Sequence, residues 1–397
     1  MSNNKKLTKL LNNVRIRLMK VHPVEVLLKK LFSSNRSGAF SVEREKYDKP
    51  FKSLSDQISL LETNRSLDLE NNAEDVQGYL LNVGYYNIIN GYGEEFEDSD
   101  QHPKVYKSGT TFSDIYRQYI TDQSLARAVV PDLLKIEQKL DTLLGYYIAE
   151  NFGVNHYSSD DPKNIWPNDK SYLAKERYNL SNSSYASVSK LYDVIKEAKN
   201  TPLAYYRDHK NHIPPWILFA STEFGTINRY FKVLPYEIKV KLTNQLLPPQ
   251  YTDIGRDDLL LKGMFNYLEI IRLFRNQFAH NSRFSFTKFV DYGLGKQFKN
   301  RVESEFLYST AEYKSGMGKG DLYSLFIILV LFSDNYEKAA VQINYYSDTI
   351  FDQFIDVDDN GIERTDTKGL QAFLKSSNLP NNFNNRLIEF AKKLYNT

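Results

Sequence analysis

The chain has 397 residues, 41% of them hydrophobic and 25% charged, with a net charge of +2. That is the composition of an ordinary globular protein, long enough for one large domain or two to three smaller ones. It has no cysteine, which excludes disulfides, thiolate metal sites and a Cys nucleophile. It also has no apolar run of about eighteen residues, so no membrane-spanning helix, no membrane partner and a cytoplasmic location are expected.

The charge is unevenly spread. Residues 1–36 hold Lys5, Lys6, Lys9, Arg15, Arg17, Lys20, Lys29, Lys30 and Arg36 against one acid, Glu25, a local charge of +8 in a chain of +2. Such a block reads as a polyanion-binding arm. Leu7, Leu10, Leu11, Val14 and Leu18 form an apolar stripe at helical spacing until Pro23 interrupts it. Residues 1–45 are therefore expected to be a basic helical arm. A solvated helix packed on the body, an RNA-binding helix and a membrane-surface helix are the three readings of it. No uninterrupted apolar core leads to a small-residue cleavage site, so a signal peptide is not expected.

Ser33–Phe40 reads as a linker. Lys49-Pro50 through Gln57-Ile58 leads into a first helix, and Asn72-Ala73-Glu74-Asp75 opens a second. Val83-Gly84-Tyr85-Tyr86 and Gly91-Tyr92 close this helical hairpin with a Tyr-rich corner, giving a unit over residues 46–110. Phe112–Gly153 is predicted helical. Leu133, Ile136, Leu140, Leu144 and Tyr147 share a face, and Pro131 marks a helix start or a break. Glu137 and Asp141, four apart, read as a solvated helix face rather than a metal or acid/base pair.

Gly153–Ser189 is polar and reads as an exposed insertion. Helical spacing returns at Val188–Ala198. Ile213-Pro214-Pro215-Trp216 then opens a helix expected to carry Ser221, Phe224-Gly225 and Tyr230. His209 and His212 are three apart but have no third ligand beside them, so no metal is expected.

Leu260, Met264, Tyr267, Ile271, Phe274 and Phe278 recur at steps of three and four and predict one long helix. At its end stands Arg275-Asn276-Gln277-Phe278-Ala279-His280, continuing Asn281-Ser282-Arg283. Asn276 and His280 share a face, and the long stem of Arg275 is expected to bring its guanidinium towards His280. Arginine holds a phosphate through two parallel hydrogen bonds. Histidine, with an ordinary pKa of about 6.5, exchanges a proton near neutral pH. RNA carries its own nucleophile, the 2′-hydroxyl, so a site of this kind needs no metal. The bland alternative is a C-terminal helix cap.

Ser315–Gly320 is glycine-rich but lacks both the phosphate-loop spacing and a preceding strand. Leu322–Phe332 is expected to be a buried helix. Asp356–Gly361 imitates a calcium loop, but position twelve is Thr367, so it reads as a turn. Leu370–Leu374 and Arg386–Leu394 complete a helical C-terminal extension over residues 341–397.

An Arg followed by a polar residue, then three residues and a His, resembles the signature of the HEPN ribonuclease superfamily. The fuller RNQFAHNSRF resembles the Arg-Asn…Ala-His…Arg box of the Abi-like family, which includes AbiD and AbiF. Other segments resemble that family in the same order. They are Lys49-Pro50…Gln57-Ile58, Gly84-Tyr85-Tyr86 with Gly91-Tyr92, the set Phe112, Asp114, Ile115, Tyr119, Asp122, Leu125, Ile136 and Glu137, and Pro214-Pro215-Trp216 with Phe224-Gly225. Ser66 stands where the pattern usually has Gly.

The resemblance covers about residues 46–285. It implies an all-α fold, a HEPN-like helical bundle over residues 111–340 with additional N- and C-terminal helices. It implies a phage-defence role in abortive infection and a metal-independent ribonuclease with no cofactor. One recognisable box implies a homodimer with a composite site. Arg275, Asn276 and His280 are the candidate catalytic residues, and the arm residues from Lys5 to Lys30, with Arg283, are the candidate RNA contacts. The alternative is a ribonucleoprotein with a small non-coding RNA, in which the box grips RNA without cutting. A third reading is a purely structural helical protein.

Overall fold

The computed structural model describes residues 49–98, 100, 103–156, 171–178, 182–251, 254–280, 282–358 and 360–395. The basic residues from Lys5 to Arg36 lie outside the described residues. Leu54–Thr397 form one compact unit, mostly helical.

The unit opens with α1 (Leu54–Ser59), which widens into a π-helical turn at Leu60–Asn64, and α2 (Ala73–Val83), followed by a second such turn at Tyr86–Asn90. A short hairpin pairs β1 (Glu97–Asp98) with β2 (Val105–Tyr106). Leu61, Val76, Leu80 and Ile88 build a small core of their own, closed by Phe112 and Ile115. The Tyr-rich corner is thereby seated on the next helix.

That helix, α3 (Phe112–Phe152), runs for 41 residues. Thr111 and Asp114 start it with reciprocal hydrogen bonds between side chains and backbone, a capping box. Gly153, at φ 81°, ends it. Pro131 was expected to start or break a helix, yet it lies inside this one. An interior proline costs roughly 3 kcal/mol. Ala128, Val129, Val130 and Leu133 are buried around it, and burial at about 1.5–3 kcal/mol per large apolar side chain outweighs the missing N–H.

Then come α4 (Asn182–Glu197), α5 (Pro202–His209), α6 (Pro215–Phe219), α7 (Phe224–Val233), α8 (Tyr236–Leu246) and α9 (Leu259–Ala279). Of these, α6, α8 and α9 pack directly on α3. After α10 (Phe298–Arg301) and α11 (Thr310–Lys314), α12 (Leu322–Leu331) buries all ten of its side chains. The chain finishes with α13 (Tyr336–Phe351), a hairpin of β3 (Ile355–Val357) and β4 (Glu363–Thr365), α14 (Thr367–Ser376) and α15 (Phe383–Tyr395). Ile343, Phe373, Phe383 and Phe390 of these last helices share one core with Leu140, Phe231, Ile271 and Phe326.

Two expectations change. The helix foreseen from Pro215 through Tyr230 is divided into α6 and α7. Thr222 returns its hydroxyl to the Leu218 carbonyl at 2.7 Å, and Glu223 is extended, with ψ 141°. A side chain bonded back to the preceding turn competes with helix propagation. The polar insertion also folds partly inward. Tyr172, Leu173, Ala174 and Tyr178 are buried. The Tyr172 hydroxyl donates to the Ile213 carbonyl at 2.9 Å, and the Tyr178 hydroxyl to the Tyr172 carbonyl at 2.7 Å. These aromatic anchors were hidden by the polar residues around them.

The glycine-rich stretch before α12 is wrapped around the chain's own anion. The buried Asp321 carboxylate accepts the Gly318 N–H at 3.0 Å, the Ser324 N–H at 2.8 Å and the Asn378 amide at 2.6 Å. Asp356–Gly361 begins in β3 and forms part of the turn into β4. There the Asp358 carboxylate accepts the N–H groups of Asn360 and Ile362 at 3.0 and 2.9 Å.

Candidate active site

Asp258 fixes the start of α9. It accepts the Leu260 N–H at 2.8 Å and pairs with Arg301 at 2.7 Å. The stripe of Leu260, Met264, Tyr267, Ile271 and Phe274 is buried, but Phe278, expected to continue it, is 38% exposed. The helix has left the core by its last turn, and there the polar box emerges. Ala279 is the last helical residue. His280 caps the helix with its N–H on the Asn276 carbonyl at 3.1 Å, and the residue is exposed.

Arg275 does not reach towards His280. Residues five apart on an α-helix point about 140° apart around its axis. The guanidinium instead crosses to α3, with Nε 3.5 Å from Glu137 Oε2, and Nη1 donates to Asn276 Oδ1 at 3.3 Å. The attraction is physical: Glu137 is an anion only 15% exposed, and a desolvated charge draws a counter-charge.

Glu137 and Asp141 are therefore not a solvated face. Glu137 Oε2 and Asp141 Oδ1 are buried with no hydrogen-bond partner, the contact to Arg275 being a charge pairing without hydrogen-bond geometry. Burial raises the Glu137 carboxyl above its ordinary range, and Arg275 pulls it back. Burial, followed by the neighbouring Glu137, pushes Asp141 up to about 8. One signal for this was present: each acid directly follows a core position, Ile136 and Leu140. That places the pair at the edge of the buried stripe.

A raised carboxyl pKa has a signed consequence. The folded state holds the Asp141 proton from about pH 4 to about pH 8 while the unfolded chain releases it. This contribution to stability is complete below the ordinary carboxyl pKa, declines with rising pH and is gone above about 8. An Asp141→Asn chain should keep its urea midpoint from pH 5 to 9 better than the wild type, so the difference between the two grows with pH. Parallel midpoints across that range would show that Asp141 does not titrate this way.

Glu137 and Asp141 also line a cavity of about 420 Å³ with Leu134, Gln138, Thr142, Trp216 and Ala220. The two histidines at 209 and 212 lie elsewhere: His209 packs beside Tyr205, and His212 Nδ1 is 2.7 Å from Asn211 Oδ1. No cluster of three or more His, Asp or Glu able to hold a metal occurs among the described residues.

Behind the box lies a buried hub that sequence reasoning placed in a pattern but gave no role. Asp122, fully buried on α3, accepts the Tyr92 hydroxyl at 2.5 Å, the Phe284 N–H at 2.9 Å and the Ser285 N–H at 2.5 Å. Burial pushes its carboxyl up, and the donors from Ser285, Tyr92 and Phe284 oppose that. Arg283 donates to the Gly91 carbonyl at 3.0 Å. The chain leaving the box is thus tied both to α3 and to the Tyr-rich corner.

The fold and the site define an all-α protein with an Arg/His box at a helix end beside desolvated carboxylates. The family model described as Abi-like protein matches residues 78–285. The chain belongs to that family, which is associated with abortive infection in phage defence. The match begins in α2, takes in Asp122, Glu137 and Trp216, and ends at Ser285 beside Asp122. Searches of curated proteins and of solved structures give no match. No helix among the described residues is long and apolar enough to cross a membrane.

Proposed function

We propose that the chain is an endoribonuclease of the HEPN type acting in abortive infection. It cleaves RNA by attack of the 2′-hydroxyl, without a metal, at a site completed by a second copy of itself. The observation that carries this reading is the exposed end of α9, where Arg275, beside Asn276, and His280, on another side of the same last turn, all lie outside the core.

The reaction needs a proton taken from the 2′-hydroxyl and a proton given to the leaving 5′-oxygen. The 2′-oxygen bonds to phosphorus as the bond from phosphorus to the 5′-oxygen breaks, leaving a 2′,3′-cyclic phosphate and a 5′-hydroxyl. Two copies of His280 supply the proton transfers, and two of Arg275 hold the phosphoryl oxygens. Asn276 gives its carbonyl oxygen to Arg275, which leaves its amide N–H groups for the substrate. Lys5, Lys6, Lys9, Arg15, Arg17, Lys20, Lys29, Lys30 and Arg283 contact the RNA backbone in this reading.

The test is His280→Ala. Cleavage should fall at least about 10²-fold, the usual worth of a positioned acid or base, while RNA affinity changes little. Wild-type cleavage should persist in EDTA and stop on a substrate lacking the 2′-hydroxyl at the cut. Cleavage of that deoxy substrate, or magnesium-dependent cutting with 5′-phosphate ends, would sink the mechanism. A discrete RNA that copurifies uncut would establish a binding protein instead.

A further inference from the structure

The cavity beside Arg275 has a wall that the cleavage chemistry does not use. Trp216 is 49% exposed although it belongs to the packed helix α6. Its backbone is fixed from two sides. Pro214 and Pro215 set the entry to the helix. Gly145 of α3 lies so close that an added Cβ would come within 2.8 Å of the Trp216 Cα. The indole therefore projects from a backbone held in place, and Trp216 is part of the cavity lining. An exposed aromatic side chain normally loses free energy by facing water, and one held rigidly loses little entropy when something stacks on it.

The cavity floor has an unmet requirement of its own. Glu137 Oε2 and Asp141 Oδ1 are buried acceptors without a donor. Buried polar atoms are almost always hydrogen-bonded in native proteins, and the carboxyl groups of Glu137 and Asp141, both in the cavity lining, need only turn about one side-chain bond to meet a donor that enters it. One proton held by the pair still leaves an acceptor on each carboxyl group. At about 420 Å³ the space falls within the size range of small-molecule sites. Across Glu137 stands Arg275, the proposed phosphate clamp, with its Nε at 3.5 Å. An aromatic wall, a pair of acceptors and an adjacent phosphate ligand together match one nucleotide of an unpaired strand.

We infer that this cavity is a nucleobase subsite, in which Trp216 stacks on the face of an unpaired guanine and Glu137 and Asp141 accept hydrogen bonds from its edge. Guanine is singled out because it alone among the four RNA bases carries two neighbouring N–H donors, on N1 and N2, along its pairing edge. Adenine and cytosine each offer one amino group next to an acceptor, which would face a carboxylate. A site built to accept hydrogen bonds rejects analogues that lack the donors, because its buried groups are then left unpaired. The inference rests on the RNA reading above but not on cleavage.

The chain has only two tryptophans, Trp166 and Trp216. In a Trp166→Phe chain the fluorescence reports Trp216 alone. The four nucleoside monophosphates, with the phosphate on either the 3′- or the 5′-position, have no internucleotide bond to cut and are titrated into that chain. Guanosine monophosphate should quench Trp216 and bind at least about tenfold tighter than the other three, a modest share of what stacking and edge contacts supply. Asp141→Leu, similar in size but with no acceptor, should keep the quenching and lose most of the guanine preference. A Trp216 signal unmoved by every nucleotide, or moved at equal concentrations of all four, overturns the subsite. The two readings fail separately. Guanine-selective quenching in a protein whose wild type never cuts RNA keeps the subsite and removes the nuclease. Cutting with a silent Trp216 does the reverse.

Discussion

Replacing Asp122 with Ala should remove roughly 3–5 kcal/mol of stability, enough to leave a marginal domain partly unfolded. The reasoning starts from what remains after the change. The Phe284 and Ser285 N–H groups and the Tyr92 hydroxyl all donate to this one carboxylate. Each donor left unpaired in the interior costs about 1–3 kcal/mol. Part of that is recovered because the buried carboxylate no longer has to be desolvated. Tyr92→Phe removes one donor and should cost only about 1 kcal/mol. A double-mutant cycle between Tyr92 and Asp122 should therefore show coupling, and urea unfolding measures all four corners. Activity should suffer as well, since the chain beyond His280 would lose its anchor to α3. An Asp122→Ala protein as stable as the wild type would mean that the three bonds do not secure the box.

This hub also shows how far the sequence could be read. The long helices were legible because burial imprints a period of 3.6 on α3 and α9 and an unbroken apolar run on α12. The Arg/His box was legible because polar residues interrupt such a stripe at its end. What periodicity does not carry is the identity of neighbours distant in the chain. Asp122 is separated from Phe284 by 162 positions, and nothing local says that its carboxylate meets two backbone N–H groups there. Glu137 and Asp141 were misread for a related reason. On α3 alone they face outward at the edge of the stripe, and it is the packing of α6 and α9 on α3 that removes them from water. Trp216 was read only as the entry to a helix. Its exposure depends on how closely Gly145 lets α6 approach. Pro131 was overweighted, because its local cost is known from the sequence while the burial that offsets it is not.

The orientation of Arg275 bears directly on stoichiometry. On one chain its guanidinium is committed to Glu137 and Asn276, and His280 lies at the helix cap about 140° further around the axis. One copy thus presents the proposed phosphate ligand and the proposed proton carrier on different sides of the same helix end. Two copies meeting at this end would bring the Arg275 of one opposite the His280 of the other. An Arg275→Ala homodimer should lose activity by about 10²-fold or more, as for other groups that stabilise charge in a transition state. Arg275→Lys should restore little, because an ammonium cannot reproduce the planar two-pronged contact. The informative experiment is mixing. Equal amounts of wild-type and Arg275→Ala chains, unfolded together and refolded, give a random population of dimers. If both arginines serve one composite site, only the pure wild-type dimers act, and activity falls to about one quarter. If each chain carries a complete site, activity falls to about one half. A value near one half, with dimers confirmed by mass, would place the whole reaction within a single chain. The guanidinium of Arg275 would then have to leave Glu137 and turn to its own His280 when RNA binds.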